Sequence, residues 1–180
     1  MSERDVLLVY TSREGQTAKI MACIQDVLEA DGAQVTTRRL SDAEESVPDI
    51  ASFSKVVLAG SIHYGKHEKH LAAFIKAHKA QLEDTTTVFF SVNLTARKPN
   101  KNTVDTNPYI KRFLAEVDWQ PSVAHVFAGA LLYSKYKWSD KMIIRFIMWM
   151  TKGNTDTSRD IDYTDWADVR HFAERVSKLH

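Results

Sequence analysis

The residues with the clearest chemical potential follow an apolar run near the start of the chain. Residues 6–10 form a β-branched and aromatic stretch, which is typical of a strand buried on both faces. The next segment is rich in hydroxyl groups and leads into a helical pattern; its residues are Thr11, Ser12, Arg13, Glu14, Gly15, Gln16 and Thr17. A helix N-terminus offers unpaired N–H groups and a positive dipole end, and hydroxyl groups add donors. The pattern predicts a site that binds a phosphate group.

This loop differs from the common phosphate-binding motifs. No Gly-Lys-Ser/Thr sequence follows it, as in a P-loop, and the G-x-G-x-x-G pattern of dinucleotide sites is absent. A loop lined by hydroxyl groups after the first strand instead suits the single terminal phosphate of FMN. An ordinary capped helix, with Ser12 or Thr17 as its cap, is the alternative that the loop alone leaves open.

Composition restricts the class of protein. With 180 residues, of which 44% are hydrophobic, the chain is predicted to form one domain, residues 1–180. Cys23 is the only cysteine, which excludes a disulfide framework and a dithiol centre, so redox chemistry would need a bound cofactor. A net charge of +1 gives no support to nucleic-acid binding. The start of the chain lacks the layout of a secretion signal and no apolar run reaches ~18 residues, so a cytoplasmic protein is expected.

Apolar periodicity predicts strands that alternate with helices. The predicted strands cover residues 5–10, 35–40, 55–60, 87–92 and 125–131. Helices are predicted at residues 16–30, 71–82 and 107–116, in a short piece within residues 41–54, and in a last helix capped by Asp165. This alternation predicts an α/β fold with a five-stranded parallel sheet in the order 2-1-3-4-5 and helices on both faces.

Three loops are expected to meet at one edge of this sheet. In a sheet of this order, ligands bind at the carboxyl ends of strands one and three, where the strand order reverses. The loops after strands three and four therefore join the phosphate loop, and they add the candidate cofactor-binding residues Ser61, His63, Tyr64, Ser91, Val92, Asn93 and Leu94. His63 or Tyr64 is expected to pack against the isoalloxazine ring of FMN. The convergence of the loops favours FMN over an ordinary capped helix.

Three histidines near the second loop raise the question of a metal site. His63, His67 and His70 have a spacing that could bring them to one helix face. No carboxylate is placed as a further ligand, and histidines on a solvated helix start are the commoner case. No metal is predicted.

A basic apolar insert, residues 132–157, separates the fifth strand from the last helix. Its central run, residues 142–150, is apolar apart from Arg145 and too short to span a bilayer. Cationic and aromatic residues surround that run: Tyr133, Lys135, Tyr136, Lys137, Trp138, Lys141, Trp149 and Lys152. This composition is typical of an interfacial membrane anchor; a pocket for a large flat anionic substrate, a core helix and a homodimer face are the alternatives.

A basic pair in the loop after strand four lies near the expected edge of the flavin. Arg97 and Lys98 either orient substrate carboxylates or form an ordinary solvated charge run.

Several sequence blocks resemble one known family. They cover residues 11–17, 60–65, 90–99, 128–131, 155–157 and 163–166. Together they look like the flavodoxin-like, quinone-dependent protoporphyrinogen IX dehydrogenases of bacterial haem synthesis. The resemblance covers nearly the whole chain, and the block Ser-Val-Asn-Leu-Thr-Ala-Arg-Lys-Pro at residues 91–99 is its most specific part.

The resemblance implies a flavodoxin-like fold, FMN as the cofactor and an oxidoreductase reaction. Protoporphyrinogen IX would be oxidised to protoporphyrin IX, with menaquinone or ubiquinone as the electron acceptor and peripheral contact with the cytoplasmic face of the inner membrane. Generic flavodoxins have a hydroxyl residue where this chain has Glu14, so this carboxylate is expected to turn outward, toward Arg13. No residue is assigned as a catalytic acid or base.

Two other functions are compatible with the same pattern. A flavodoxin-like electron carrier is one, although such carriers are usually strongly acidic and this chain has a net charge of +1. An NAD(P)H:quinone reductase is the other.

Overall fold

Strands and helices alternate along the part of the chain that the computed structural model describes, which is residues 5–41, 48–150 and 153–179. The strands are β1 (Asp5–Tyr10), β2 (Gln34–Arg39), β3 (Lys55–His63), β4 (Lys66–His67), β5 (Thr86–Asn93), β6 (Val123–Ala128), β7 (Ala130–Leu131) and β8 (Ile161–Asp162). The helices are α1 (Gln16–Ala30), α2 (Lys69–Ala77), α3 (Lys79–Glu83), α4 (Pro108–Val117), α5 (Trp138–Met150) and α6 (Trp166–Ser177). Short 3-10 helices cover Ile50–Ser52, Leu94–Arg97, Pro99–Lys101 and Tyr133–Lys135.

The main sheet has the order β2-β1-β3-β5-β6, and these five strands are parallel to their neighbours. This arrangement confirms the predicted order, since β5 and β6 are the fourth and fifth strands of the prediction. The order reverses between β1 and β3, so the loops that follow these two strands start side by side at one edge.

Helices cover both faces of the sheet. Successive side chains of each strand point to opposite faces, so both faces present apolar side chains on which helices pack. On one face, Leu7 and Val9 of β1 share an apolar cluster with Leu71 of α2 and Phe113 of α4. On the other face, Leu8 packs with side chains of α1 and α6. Burial on both faces explains why β1 is a continuous apolar run rather than an alternating one.

The third strand is longer than predicted. β3 continues to His63 because its last residues pair with β4 in an antiparallel turn. The loop predicted at residues 61–63 is therefore strand, and the turn itself is formed at Tyr64 and Gly65.

Three other predicted elements differ from the structure. The long helix predicted after strand three is divided at His78, between α2 and α3. The fifth strand is divided at Gly129, because β7 pairs with β8 instead of continuing the main sheet. The short helix predicted within residues 41–54 is observed as a 3-10 helix at Ile50–Ser52, and residues 42–47 lie outside the described residues.

The insert carries α5, which rests on a small apolar cluster of its own. Leu131, Tyr133 and Met148 form this insert cluster, which is separate from the two main clusters. Lys152, predicted to flank the apolar run, lies outside the described residues. Over the described ranges, no helix combines the length and the apolar character that crossing a membrane would require.

Candidate functional site

The phosphate loop lies between β1 and α1 and ends in a left-handed turn. Gly15 has a φ of 101°, which glycine adopts without steric cost, and α1 starts at the next residue. Oγ of Ser12 accepts a hydrogen bond from the backbone N of Ala18 (3.3 Å), whereas Thr17 lies inside the helix. Of the two candidate cap residues, Ser12 is therefore the one that bonds to the first turn.

Buried polar atoms of this loop have no hydrogen-bond partner among the described residues. They are Oγ1 of Thr11, Oγ1 of Thr17 and Oε1 of Gln16. Because a buried polar group without a partner costs about 1–3 kcal/mol, a bound ligand is a common explanation for such groups. Hydroxyl donors beside a helix N-terminus suit phosphate oxygens. The loop therefore fits the phosphate of a nucleotide cofactor.

Glu14 lies between Arg13 and His63 at the rim of the loop. Its Oε1 is 3.9 Å from Nε of Arg13 and 3.9 Å from Nδ1 of His63. The contact with Arg13 agrees with the expected pairing, but the Glu14 side chain is 22% exposed and lines the cavity, so it does not turn outward as expected. The contact with His63 is not apparent from the sequence. Nζ of Lys135 donates to the backbone O of Glu14 (2.5 Å) and would lie 3.3 Å from a Cβ at Gly15. Arg13 thus lies near the carboxylate, and Lys135 binds the backbone of the phosphate loop.

The turn between β3 and β4 is strained and contacts the insert. Tyr64 and Gly65 have φ angles of 47° and 81°, and a positive φ is uncommon for a bulky residue. The ring centroids of His63 and Tyr64 are 4.1 Å apart, and the Tyr64 hydroxyl donates to Oδ1 of Asp140 in α5 (2.7 Å). This hydrogen bond raises the pKa of Tyr64 and ties the turn to α5.

His63, at the end of β3, has an unusual environment for a histidine. Its Nε2 is buried and has no hydrogen-bond partner among the described residues. Burial, followed by the charge of Arg13, lowers the pKa of His63, although Glu14, Asp140 and Glu68 act in the opposite direction. The imidazole is therefore neutral at pH 7.

A chain of hydrogen bonds holds the loop after β5. Oγ of Ser91 is 2.9 Å from Nε2 of His67 and accepts a hydrogen bond from Nδ2 of Asn93 (3.3 Å). Oδ1 of Asn93 accepts from Nδ2 of Asn107 (3.1 Å) and from the backbone N of Ala96 (3.1 Å). Burial lowers the pKa of His67 to about 3, so its ring stays neutral and can accept a hydrogen bond from the Ser91 hydroxyl. Ser91 and Asn93 thus position this loop.

The three loops and α5 line one cavity at the carboxyl edge of the sheet. The lining residues that the sequence predicts as site residues are Glu14, Gln16, Ser61, His63, Tyr64, Val92, Asn93, Leu94, Arg97, Lys98 and Tyr136. The structure adds Ile62, Gly65, Thr95, Tyr109, Gly129, Ala130, Ile144, Ile147 and Met148. Of these additions, the three residues of α5 belong to an apolar run that the sequence does mark, whereas Tyr109 and Ile62 carry no such signal. The cavity has one polar side, formed by loops, and one apolar side, formed by α5.

The insert residues predicted to contact substrate or membrane differ in their burial and in their contacts. Tyr133 is 1% exposed and its ring packs within the insert cluster beneath α5, so its contact with substrate or membrane stays a prediction. Lys135 contacts the phosphate loop instead. The exposed ones are Lys137, Trp138, Arg145 and Trp149, and Lys141 is partly buried.

Arg97 and Lys98 line the cavity but differ in their contacts. Nη1 of Arg97 donates to the backbone O of Leu94 (2.7 Å), and its guanidinium lies 6.0 Å from the ring centroid of Tyr163. Arg97 therefore stabilises the loop as well as lining the cavity. Lys98 is partly buried at the end of the same 3-10 helix.

Comparison with known proteins gives consistent matches. The flavodoxin domain family matches residues 7–158. The protoporphyrinogen IX dehydrogenase [quinone] of Escherichia coli K12 is 38% identical over 173 residues, which cover 96% of this chain and 94% of the relative. A Leishmania major protein of the same name is 40% identical over 96% of this chain and 74% of its own length. Among solved structures, Megasphaera elsdenii flavodoxin has a TM-score of 0.52 at 17% identity and covers 67% of this chain and 84% of its own.

The fold and these matches define a flavoprotein of the flavodoxin class, and they indicate a flavin as the cofactor. The chain belongs to the family of flavodoxin-like, quinone-dependent protoporphyrinogen IX dehydrogenases.

Proposed function

We propose that this protein uses FMN to oxidise protoporphyrinogen IX to protoporphyrin IX, and that a respiratory quinone, menaquinone or ubiquinone, accepts the electrons. The flavin supplies the two-electron redox chemistry. One observation carries the proposal: the phosphate loop, which holds the unpaired buried hydroxyls of Thr11 and Thr17, borders through Glu14 and Gln16 a cavity that has the apolar wall of α5 on another side. Relatives named for this reaction match 96% of the chain.

FMN is favoured over riboflavin because the phosphate loop fits a single terminal phosphate. The unpaired buried hydroxyls of Thr11 and Thr17 supply donors, and Nζ of Lys135 supplies positive charge beside Gly15. The isoalloxazine ring would then lie in the cavity near His63 and the turn that follows β3.

The α5 side of the cavity suits a large apolar substrate that carries carboxylates. Ile144, Ile147 and Met148 provide the apolar wall, and Arg97 and Lys98 provide cations on the facing loop. Protoporphyrinogen IX combines a hydrophobic ring system with propionate carboxylates, which cations of this type bind.

The outer face of α5 supports a peripheral position at the cytoplasmic face of the inner membrane, where the quinone resides. Trp138 and Trp149 are 78% and 68% exposed, and Phe146 between them is 57% exposed. Lys137 and Arg145 are exposed beside these rings. Exposed aromatic and cationic residues on a short apolar helix are typical of interfacial membrane binding.

The experiment that tests the function follows the absorbance of the FMN-loaded protein under anaerobic conditions. Protoporphyrinogen IX is expected to bleach the flavin absorbance and to yield the absorbance of protoporphyrin IX. Addition of a menaquinone or ubiquinone analogue is then expected to restore the flavin absorbance. A flavin that stays oxidised in the presence of protoporphyrinogen IX would contradict the proposal.

Two parallel mixtures separate the alternatives. Rapid bleaching by NADPH, without bleaching by protoporphyrinogen IX, would indicate an NAD(P)H:quinone reductase. Bleaching by neither compound, together with reduction by a redox partner protein, would indicate an electron carrier.

A further inference from the structure

One ring nitrogen at the cavity has no partner. Nε2 of His63 is buried and forms no hydrogen bond with the described residues, although His63 lines the cavity. An unpaired buried polar atom is unfavourable, so a bound molecule is the natural source of its partner. We propose that His63, oriented by Glu14, accepts the proton that the porphyrinogen loses on oxidation. This inference rests on the proposed function.

Glu14 determines which nitrogen of the ring accepts the proton. Its Oε1 lies 3.9 Å from Nδ1 of His63, beyond hydrogen-bonding distance, and its charge raises the pKa of His63, although burial and Arg13 each have a larger effect in the opposite direction. The carboxylate favours the tautomer that carries hydrogen on Nδ1, which leaves the lone pair on Nε2. The same negative charge stabilises the imidazolium that forms when Nε2 takes up a proton. The role proposed for Glu14 is therefore to orient His63 and to stabilise its protonated form.

Charged groups from three sides set the protonation state of His63. Arg13 and Glu14 face it from the phosphate loop, Glu68 from the start of α2, and Asp140 from α5. Burial and Arg13 lower the pKa of His63 more than the carboxylates raise it. The ring is therefore unprotonated at neutral pH and is available as a base.

Two tyrosines of the cavity wall are poorer proton acceptors. The Tyr64 hydroxyl is protonated and donates a hydrogen bond to Asp140. Burial, together with the charge of Glu14, raises the pKa of Tyr136 to about 12, so its hydroxyl is also protonated at neutral pH.

The first two-electron step balances with this assignment. A meso C–H bond and a pyrrole N–H bond of the porphyrinogen break, and a double bond forms between the meso carbon and the neighbouring ring carbon. A bound flavin would supply the hydride acceptor, and the N–H proton passes to Nε2 of His63. The quinone would later take up the two electrons and the proton of that hydride together with one proton from water, and His63 releases its own proton to water at the partly exposed rim formed by Glu14.

Substitution of His63 tests the inference through the flavin-reduction step. His63→Asn is expected to lower the rate of flavin reduction by protoporphyrinogen IX by at least about 100-fold, the usual contribution of a general base. Reoxidation of the reduced flavin by the quinone analogue is expected to slow much less than its reduction, because reoxidation does not remove a proton from the porphyrinogen. In the wild type this reduction rate falls at acid pH as His63 is protonated, and the variant should lose that dependence. His171→Asn, at an exposed position of α6, is the matched control and should behave like the wild type.

NMR titration of the imidazole provides a readout that does not depend on turnover. In the flavin-free protein the pKa of His63 is expected below the ordinary value of 6.5. Glu14→Gln removes a charge that raises this pKa, so the variant is expected to titrate at lower pH than the wild type. FMN affinity of His63→Asn, measured by fluorescence quenching, is expected to stay within about tenfold of the wild type.

Distinct outcomes would overturn the inference. If His63→Asn reduced its flavin as fast as the wild type, with the same pH dependence, His63 would not be the proton acceptor and the proposed function would stand. The same conclusion would follow if FMN affinity fell sharply and the pH profile did not change, since His63 would then be a flavin ligand. If the wild type itself were not reduced by protoporphyrinogen IX, both proposals would fail.

Discussion

At the scale of single residues, the buried threonines of the phosphate loop couple cofactor binding to stability. Oγ1 of Thr17 is buried without a partner among the described residues, so the flavin-free protein carries the cost of its desolvation. A phosphate oxygen would remove that cost. The same hydroxyl is therefore expected to favour the flavin-bound state and to disfavour the flavin-free state.

Thr17→Val separates these two effects, because valine has nearly the same shape and lacks the hydroxyl. We expect the free energy of unfolding of the flavin-free protein to rise by up to about 1 kcal/mol. FMN affinity is expected to fall at least about tenfold, which corresponds to about 1.4 kcal/mol. Urea unfolding of the flavin-free protein and fluorescence titration with FMN measure the two quantities.

Thr87→Val is the matched control, since Thr87 is also buried but its Oγ1 accepts a hydrogen bond from the backbone N of Ser122 (3.3 Å). Here the free energy of unfolding is expected to fall and the FMN affinity to stay unchanged. If both variants lost stability equally, the hydroxyl of Thr17 would have a partner in the flavin-free protein.

The sequence identifies the polar residues of the site but not all of their contacts. The position of Thr11 and Thr17 in the phosphate loop can be predicted, because the strand, the loop and the helix follow one another within a short stretch of sequence. Tyr133 cannot be placed, because an amphipathic ring suits a membrane surface as well as a core, and only the packing of α5 decides between them. The pairing of Glu14 with His63 joins β1 and β3 loops that are distant in sequence, so no local pattern reveals it.

At the scale of elements, the order of the main strands follows from sequence, whereas their ends do not. Buried apolar runs such as residues 55–60 mark strands on their own. The extension of β3 to His63 depends on pairing with β4, and the end of β6 at Ala128 depends on pairing of β7 with β8. These pairings involve polar or glycine-containing segments whose sequences are typical of loops.

The insert is expected to unfold locally, because its cluster is separate from the two main clusters. Met148 is 1% exposed and anchors α5 on Leu131 and Tyr133. Met148→Ala is expected to weaken the packing of α5 by about 2–4 kcal/mol. Hydrogen exchange of the α5 amides should then accelerate, while the midpoint of global unfolding changes little. Met142→Ala, at an exposed position of α5, is the control and should leave the exchange of the other α5 amides unchanged.

Asp162 of β8 joins three elements beside the phosphate loop. Its Oδ1 accepts hydrogen bonds from Nε2 of Gln16 (2.9 Å) and from the backbone N of Thr164 (2.9 Å). Its Oδ2 accepts from Nε1 of Trp166 (3.1 Å). Burial alone would raise the pKa of Asp162, but these hydrogen bonds outweigh burial and hold the pKa below the ordinary 3.8.

This lowered pKa predicts an acid-dependent contribution to stability. Below pH 3.8 the unfolded state binds the proton more readily than the folded state, so the contribution is complete above that pH and is lost as the pH falls through the folded-state pKa. Asp162→Ala is expected to be less stable than the wild type at neutral pH, and the difference should shrink below pH 3.8. Urea unfolding over this pH range measures it. Asp26→Ala, at an exposed position of α1, is the matched control for the removal of a carboxylate.

At the scale of the whole molecule, the charge is nearly balanced overall but uneven in its distribution. The net charge is +1, yet the part of the insert that covers residues 132–152 has Asp140 as its single acid against several lysines and an arginine. Asp140 is hydrogen-bonded to Tyr64, which leaves the outer face of α5 with cations and apolar rings. That combination favours an anionic membrane surface over a basic protein partner.

Vesicle binding tests this distribution of charge and apolar surface. The FMN-loaded protein is expected to bind phosphatidylglycerol vesicles more strongly than phosphatidylcholine vesicles, and high salt should weaken the binding because it screens surface charge. The exposed rings of Trp138 and Trp149 should give a blue shift of tryptophan emission on binding.

Charge reversal at Lys137 and at Lys76 distinguishes the contribution of the α5 face to vesicle binding from that of the rest of the surface. Because each cation near an anionic membrane contributes about 1 kcal/mol, Lys137→Glu is expected to weaken binding at least about fivefold. Lys76→Glu changes the net charge by the same amount at an exposed position in the last turn of α2, outside the insert, and should bind like the wild type. Equal weakening by both variants would mean that net charge, not the α5 face, drives binding. Dimerisation that buries the α5 tryptophans in the absence of vesicles would show instead that a second copy covers this face.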